Sequence, residues 1–141
     1  MLDSLTEDVR NFNWLLTSFV DQSAGVCDSV AVSSDGLLMA MSRTLDRAGA
    51  ERVAAIISGL VSLGRGAARS FGFEPLNQVV VAMDGGYLFV SSISDGSSIG
   101  VVATRRCDIG LVGHQTALLI ERVAPLLTPA LVAELRSTVM R

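Results

Sequence analysis

Residues 78–104 read QVVVAMDGGYLFVSSISDGSSIGVVAT. Apolar and β-branched residues fill 78–83, 87–93 and 99–104, and the breaks between them are Asp84-Gly85-Gly86 and Asp95-Gly96-Ser97. Short apolar runs separated by Asp-Gly turns predict strands joined by tight hairpins, here a three-stranded antiparallel meander. A second unit of the same kind lies upstream. Residues 26–33 put Val30 and Val32 on one face, Ser34-Asp35-Gly36 supplies a turn, and 37–42 return as a second strand.

Between hairpin and meander, residues 46–70 have helical periodicity. Val53, Ile56, Ile57, Leu60, Leu63 and Phe71 fall on one arc and predict the stripe that faces the core. The opposite arc carries Ala55, Ser58, Gly59, Ser62, Arg65, Gly66 and Arg69, smooth apart from its two arginines. Glycine inside a helix costs about 1 kcal/mol relative to alanine, and Gly59, Gly64 and Gly66 fall in this one segment. Close approach of another helix or of a partner backbone compensates such a cost. A surface helix that frays around its glycines is the blander reading, and close packing is preferred.

The flanking segments are also helical. Ser4 and Glu7 have capping-box spacing, and Leu5, Val9, Phe12, Leu16 and Phe19 recur every three or four residues until Gly25 stops the pattern. Trp14 points away from that stripe; cover by the carboxyl-terminal segment is the preferred expectation, presentation to a partner the alternative. Asp108 is placed to cap a third helix with Val112, Leu119, Ile120 and Val123 on its apolar side. Pro125 and Thr128-Pro129 then interrupt it, and a short last helix is predicted over 130–139.

Composition narrows the function classes. The chain has 141 residues, room for one domain, and a domain of this size buries roughly 68–70% of the surface its unfolded chain exposes. With 50% hydrophobic and 18% charged residues it lies far from the composition of disordered segments. The net charge is −3 and the basic residues are scattered, which argues against nucleic acid as a partner. No apolar run reaches the roughly 18 residues of a membrane span, and Asp3, Glu7 and Asp8 open the chain, so a cytoplasmic protein without signal peptide or direct membrane insertion is expected.

Catalytic and metal chemistry find little support. Cys27 and Cys107 are far apart without metal-like spacing and are expected to be buried, reduced thiols, and His114 is the lone histidine. All eleven basic residues are arginine, which removes a P-loop lysine and Schiff-base chemistry. No catalytic residue, cofactor site or metal site is assigned, and a non-enzymatic protein is expected.

The order helix, two strands, helix, three strands, helix resembles the Roadblock family of dynein light-chain and GTPase-regulator proteins. The likeness runs from about Asn13 to Leu127. It is carried by Asn13-Trp14-Leu15-Leu16, by Val32-Ser33-Ser34-Asp35-Gly36-Leu37-Leu38, by Ser58-Gly59-Leu60-Val61-Ser62-Leu63 and by Gly86-Tyr87-Leu88-Phe89-Val90. In this form the segments are similar to the stand-alone bacterial branch found beside Ras-like GTPases and sensor kinases in actinobacterial operons. The resemblance implies an α+β fold of order αββαβββα, profilin-like, with a five-stranded antiparallel sheet between the middle helix on one face and the terminal helices on the other. Residues 1–141 are expected to form a single domain, with a short helical extension over about 128–141.

The resemblance also implies a homodimer in which the third strands pair into one continuous sheet, which makes Val79, Val80 and Val81 the dimer-interface candidates. Residues 77–83 hold no charge and no proline, a composition that leaves an open edge free to pair. Residues 37–42 are equally uncharged, so composition does not choose the edge; the family does. The implied partner is a small Ras-like GTPase docked on the paired middle helices, with Ala55, Ser58, Gly59, Ser62, Arg65 and Arg69 at the contact. Hydrolysis would be stimulated, if at all, by repositioning the GTPase's own residues; a plain interfacial or solvated role for Arg65 and Arg69 is preferred to that of an arginine finger. Recruitment by partners to a sensor-kinase complex at the membrane is a further expectation. The competing class is a small-molecule sensor of the PAS or GAF kind, whose pocket would need convergent polar groups; the strand interiors read instead as Val, Leu, Ala and Ile.

Overall fold

The computed structural model of the chain describes residues 2–42 and 46–140. In chain order the elements are α1 (Leu2–Gln22), β1 (Val26–Val32), β2 (Leu38–Met41), α2 (Arg47–Phe71), β3 (Gln78–Met83), β4 (Gly86–Ser92), β5 (Ser98–Thr104), α3 (Ile109–Val123), a 3-10 turn (Ala124–Leu126) and α4 (Pro129–Met140). The strands form one antiparallel sheet in the order β2-β1-β5-β4-β3. The predicted hairpin and meander are both present, joined side by side through the β1–β5 pairing.

Alternation along the strands fills two cores. Ala31, Phe89, Ile99 and Val101 face α1, α3 and α4, where they pack with Phe12, Leu16, Val112, Leu119, Leu131 and Leu135. Val30, Val32, Leu88 and Val90 point the other way, onto Ala50, Ala54, Ile57 and Val61 of α2. This is the predicted α+β architecture, with the middle helix on one face of the sheet and the terminal helices on the other.

Local signals explain most boundaries. The Asp46 side chain accepts a hydrogen bond from the Gly49 N–H at the start of α2, and Gly72, at φ 69°, closes its end in the left-handed conformation that glycine adopts without a Cβ penalty. Asp108 caps α3 by accepting from the Leu111 N–H, as predicted. At the amino terminus α1 begins at Leu2, so Ser4 lies within the first turn and not at the cap that its spacing with Glu7 predicts. Cys27 and Cys107 are not joined in a disulfide and are half-buried, less enclosed than expected. Replacing either by serine is expected to cost no more than about 1 kcal/mol and to leave the oligomeric mass unchanged, as read by thermal unfolding and light scattering.

The core stripe of α2 differs from the predicted one by roughly a quarter of a turn. Ala50, Ala54, Ile57 and Val61 are buried, whereas Ile56, Leu63 and Phe71 are exposed. Small residues occupy the buried stripe because the helix lies close to the sheet. A Cβ on Gly100 of β5 would overlap the Ile57 side chain, so the fully buried Ile57 uses the space that Gly100 leaves. Gly100→Val is therefore expected to lower stability by about 1–3 kcal/mol through overpacking, visible as a lower thermal midpoint.

Candidate interaction surface

The sheet ends in β2 on one side and β3 on the other, and the two edges are treated differently. α4 seats Leu131 and Leu135 in the core below the sheet, while its Val139 packs with the cluster above it. The helix thus passes around the β2 edge. Its Arg136 also reaches Asp35 in the β1–β2 turn at 3.1 Å. Donation by the Ser33 hydroxyl, together with the Arg136 guanidinium, holds the Asp35 carboxyl below its usual range despite partial desolvation.

Among the described residues no helix passes around β3 in this way. Val80 and Met83 are exposed and Val79 and Val81 are half-buried. The Ile93 N–H donates to the Ser97 carbonyl, and this fixes the alternation of pairing through the meander. Gly86, Leu88 and Val90 then bond Met83, Val81 and Val79, which leaves the N–H and C=O of Val80 and Ala82 facing outward. β3 is an open edge with unspent backbone donors and acceptors.

The apolar shoulder of α2 continues this edge. Gly64 lies against Leu76 and Val79, where an added Cβ would stand 2.9 Å from Leu76 Cδ2, so the Leu60–Gly64 side of the helix is the one over β3. On the same shoulder Leu63 is 75% exposed and Ile56 53%. At the helix end Phe71 and Phe73 stack on each other at 5.9 Å, both exposed. Exposed apolar residues contiguous with an open strand form the kind of surface that marks an interaction site.

The six predicted docking residues divide into two groups. Ala55, Gly59 and Ser62 are exposed, and a Cβ on Gly59 would meet nothing within 4 Å. Of the three helix glycines, Gly64 is explained by packing inside the chain, while Gly59 and Gly66 face open space. Ser58 and Arg65 are half-buried on the far flank. With Ser62 and the exposed Arg69 they line a groove of about 400 Å³ against the β1–β2 and β4–β5 turns. The strand and loop residues of that groove, Ser34, Asp35, Gly96 and Ser98, escape sequence reasoning because they come from distant parts of the chain.

Trp14 is not covered by the carboxyl-terminal segment as expected. It is 62% exposed, at the mouth of a groove between α1 and α3 that Leu118 and Gln115 also line. Its side chain points off the stripe formed by the buried Phe12, Leu16 and Phe19, and α4 packs beside it, not over it.

The Roadblock/LC7 domain family model matches residues 12–103, which span α1 to β5. The chain belongs to the Roadblock/LC7 family. A Roadblock/LC7 domain from Streptomyces avermitilis is 37% identical, with a TM-score of 0.76, over 80% of this chain and 94% of that one. Myxococcus xanthus MglB, 15% identical, superposes with a TM-score of 0.74 over 82% of this chain and 94% of its own. Profilin IB of Acanthamoeba castellanii, 14% identical over 78% of this chain and 97% of that one, has a TM-score of 0.53 and shares the fold alone. No curated protein matches the sequence. The Roadblock match stops at β5, so α3 and the edge-covering α4 lie outside it.

Proposed function

We propose that this Roadblock protein is a non-enzymatic, single-domain homodimer that binds a small Ras-like GTPase through the outward face of α2. The observation that carries the proposal is the asymmetry of the sheet edges. α4 wraps β2, whereas β3 is open, uncharged and continuous with the exposed Ile56 and Leu63 of α2. Two copies joined along β3 would bury this band and set their α2 helices side by side, with Ala55, Gly59 and Ser62 on the shared outer surface. Both faces of the sheet are filled by aliphatic and aromatic side chains, which favours a platform over a small-molecule sensor.

Titration of the protein with a Ras-like GTPase, loaded in turn with GDP and with a GTP analogue, tests the reading. Saturable binding in at least one nucleotide state is expected, and comparison of hydrolysis rates with and without the protein separates an activator from a binder. Absence of binding in both states would overturn it. The platform is placed in the cytoplasm and brought to a membrane by its partners, with α4, in the extension of about 128–141, acting as the cover that reserves β3 for the dimer.

A further inference from the structure

The groove between α2 and the two β-turns holds donors that the protein itself does not use. Arg65 and Arg69 are one helical turn apart and line the same groove, so two like charges sit as neighbours. Among the described residues neither guanidinium has an ion-pair or hydrogen-bond partner. Two carbonyls of the last turn, Arg69 and Ala68, are already bonded by the Gly72 and Phe73 N–H groups.

The same groove carries hydroxyls from α2 and from β5. Ser98, only 4% exposed, lines the groove with a side chain that has no partner among the described residues, and the hydroxyls of Ser58 and Ser62 are equally unspent. Asp35 also lines the groove, but its carboxylate is bonded to Ser33 and Arg136, and Asp95 of the β4–β5 turn is bonded to the Ser97 N–H and hydroxyl. Glu74 lies on the far side of the arginines, in the adjoining groove.

Guanidinium pairs with convergent hydroxyls match the geometry of a tetrahedral dianion. No aromatic ring lines the groove, so a nucleoside base would find no stacking platform. We infer that the groove binds a phosphate monoester, recognised by Arg65 and Arg69 with Ser58, Ser62 and Ser98 as hydroxyl donors. The inference goes beyond GTPase docking and is tested on this protein alone, so failure of one leaves the other standing.

The test is calorimetric titration with three probes: inorganic phosphate, a phosphoserine peptide, and the same peptide unphosphorylated. Saturable binding of a phosphorylated probe is expected, weakened about tenfold or more by Arg65→Ala and again by Arg69→Ala. Arg106→Ala, on an exposed turn, should leave it unchanged. A phosphopeptide that binds at least tenfold tighter than inorganic phosphate identifies a phosphoprotein segment as the source, and equal affinities identify a small free phosphate. Both arginines lie on the helix surface, so the alanine variants should keep the wild-type circular dichroism. No binding of either phosphorylated probe, or binding that the double variant retains at full strength, overturns the assignment.

Discussion

Val80→Pro is expected to convert the dimer to monomer while leaving the protomer folded. In the β3–β4 register Val80 stands opposite Phe89 at a position whose N–H faces away from β4, so proline removes no hydrogen bond from the hairpin. The donor lost is one that only a second chain can use, and the proline ring stands where that chain would lie. Two-fold symmetry doubles the effect. Two lost interchain bonds at about 0.5–1.5 kcal/mol each correspond to a dimer weaker by roughly 5–150-fold, before any clash is counted. Val81→Pro is the contrasting change, since the Val81 N–H bonds Leu88 within the sheet, and it should unfold the hairpin. Light scattering over a concentration series, with circular dichroism as the check on folding, separates the two. A folded Val80→Pro protein with undiminished dimer mass, or an unmodified protein that is monomeric at micromolar concentration, would sink the strand-pairing model.

The strands were legible because their signals are local. Period-two alternation in residues 78–104 and Asp-Gly turns need no knowledge of the rest of the chain, and the structure keeps β3, β4 and β5 within a residue of the predicted bounds. The cap of α3 was legible for the same reason: Asp108 accepts from an N–H three residues on. The choice of edge was not. β2 and β3 are equally uncharged, and what distinguishes them is a helix almost a hundred residues beyond β2 that folds back over one and not the other.

The rotation of α2 was misread for a physical reason. Hydrophobic periodicity records every surface that is kept from water, whether against the chain's own sheet or against another molecule. Ile56 and Leu63 are apolar and exposed, while the stripe on the sheet contains Ala50 and Ala54, which add little to the pattern. The apolar average therefore pointed between the two faces, and the arc opposite it fell on the groove flank, where Ser58 and Arg65 lie. Trp14 belongs to the same class, being large, apolar and exposed. The serines that complete the groove were beyond reach, since Ser34 and Ser98 meet Ser58 only once the sheet has formed.

Gly59→Arg is expected to abolish GTPase binding without weakening the fold. The position is helical and exposed, and a Cβ built there meets nothing within 4 Å, so the longer side chain is accommodated in the protomer without strain. Replacing glycine should raise helix propensity by about 1 kcal/mol, and the thermal midpoint is expected to hold or rise. The cost appears only when a partner lies against the Ala55, Gly59 and Ser62 surface. There a guanidinium must be desolvated without an arranged counter-charge, and its bulk holds the two surfaces apart. An unpaired charge at such a contact weakens binding by several kcal/mol, on the order of a hundredfold or more. The control is Glu51→Gln, which breaks only the exposed i,i+4 pair with Arg47 at 3.2 Å and should change stability by less than about 1 kcal/mol. Stability and affinity moving in opposite directions is the signature of a docking surface, because a defect in folding would lower both. A folded, dimeric Gly59→Arg protein that bound the GTP-loaded partner as tightly as the original would falsify the assignment, and would move the contact to the opposite side of the sheet, where Trp14 and Leu118 flank the α1–α3 groove.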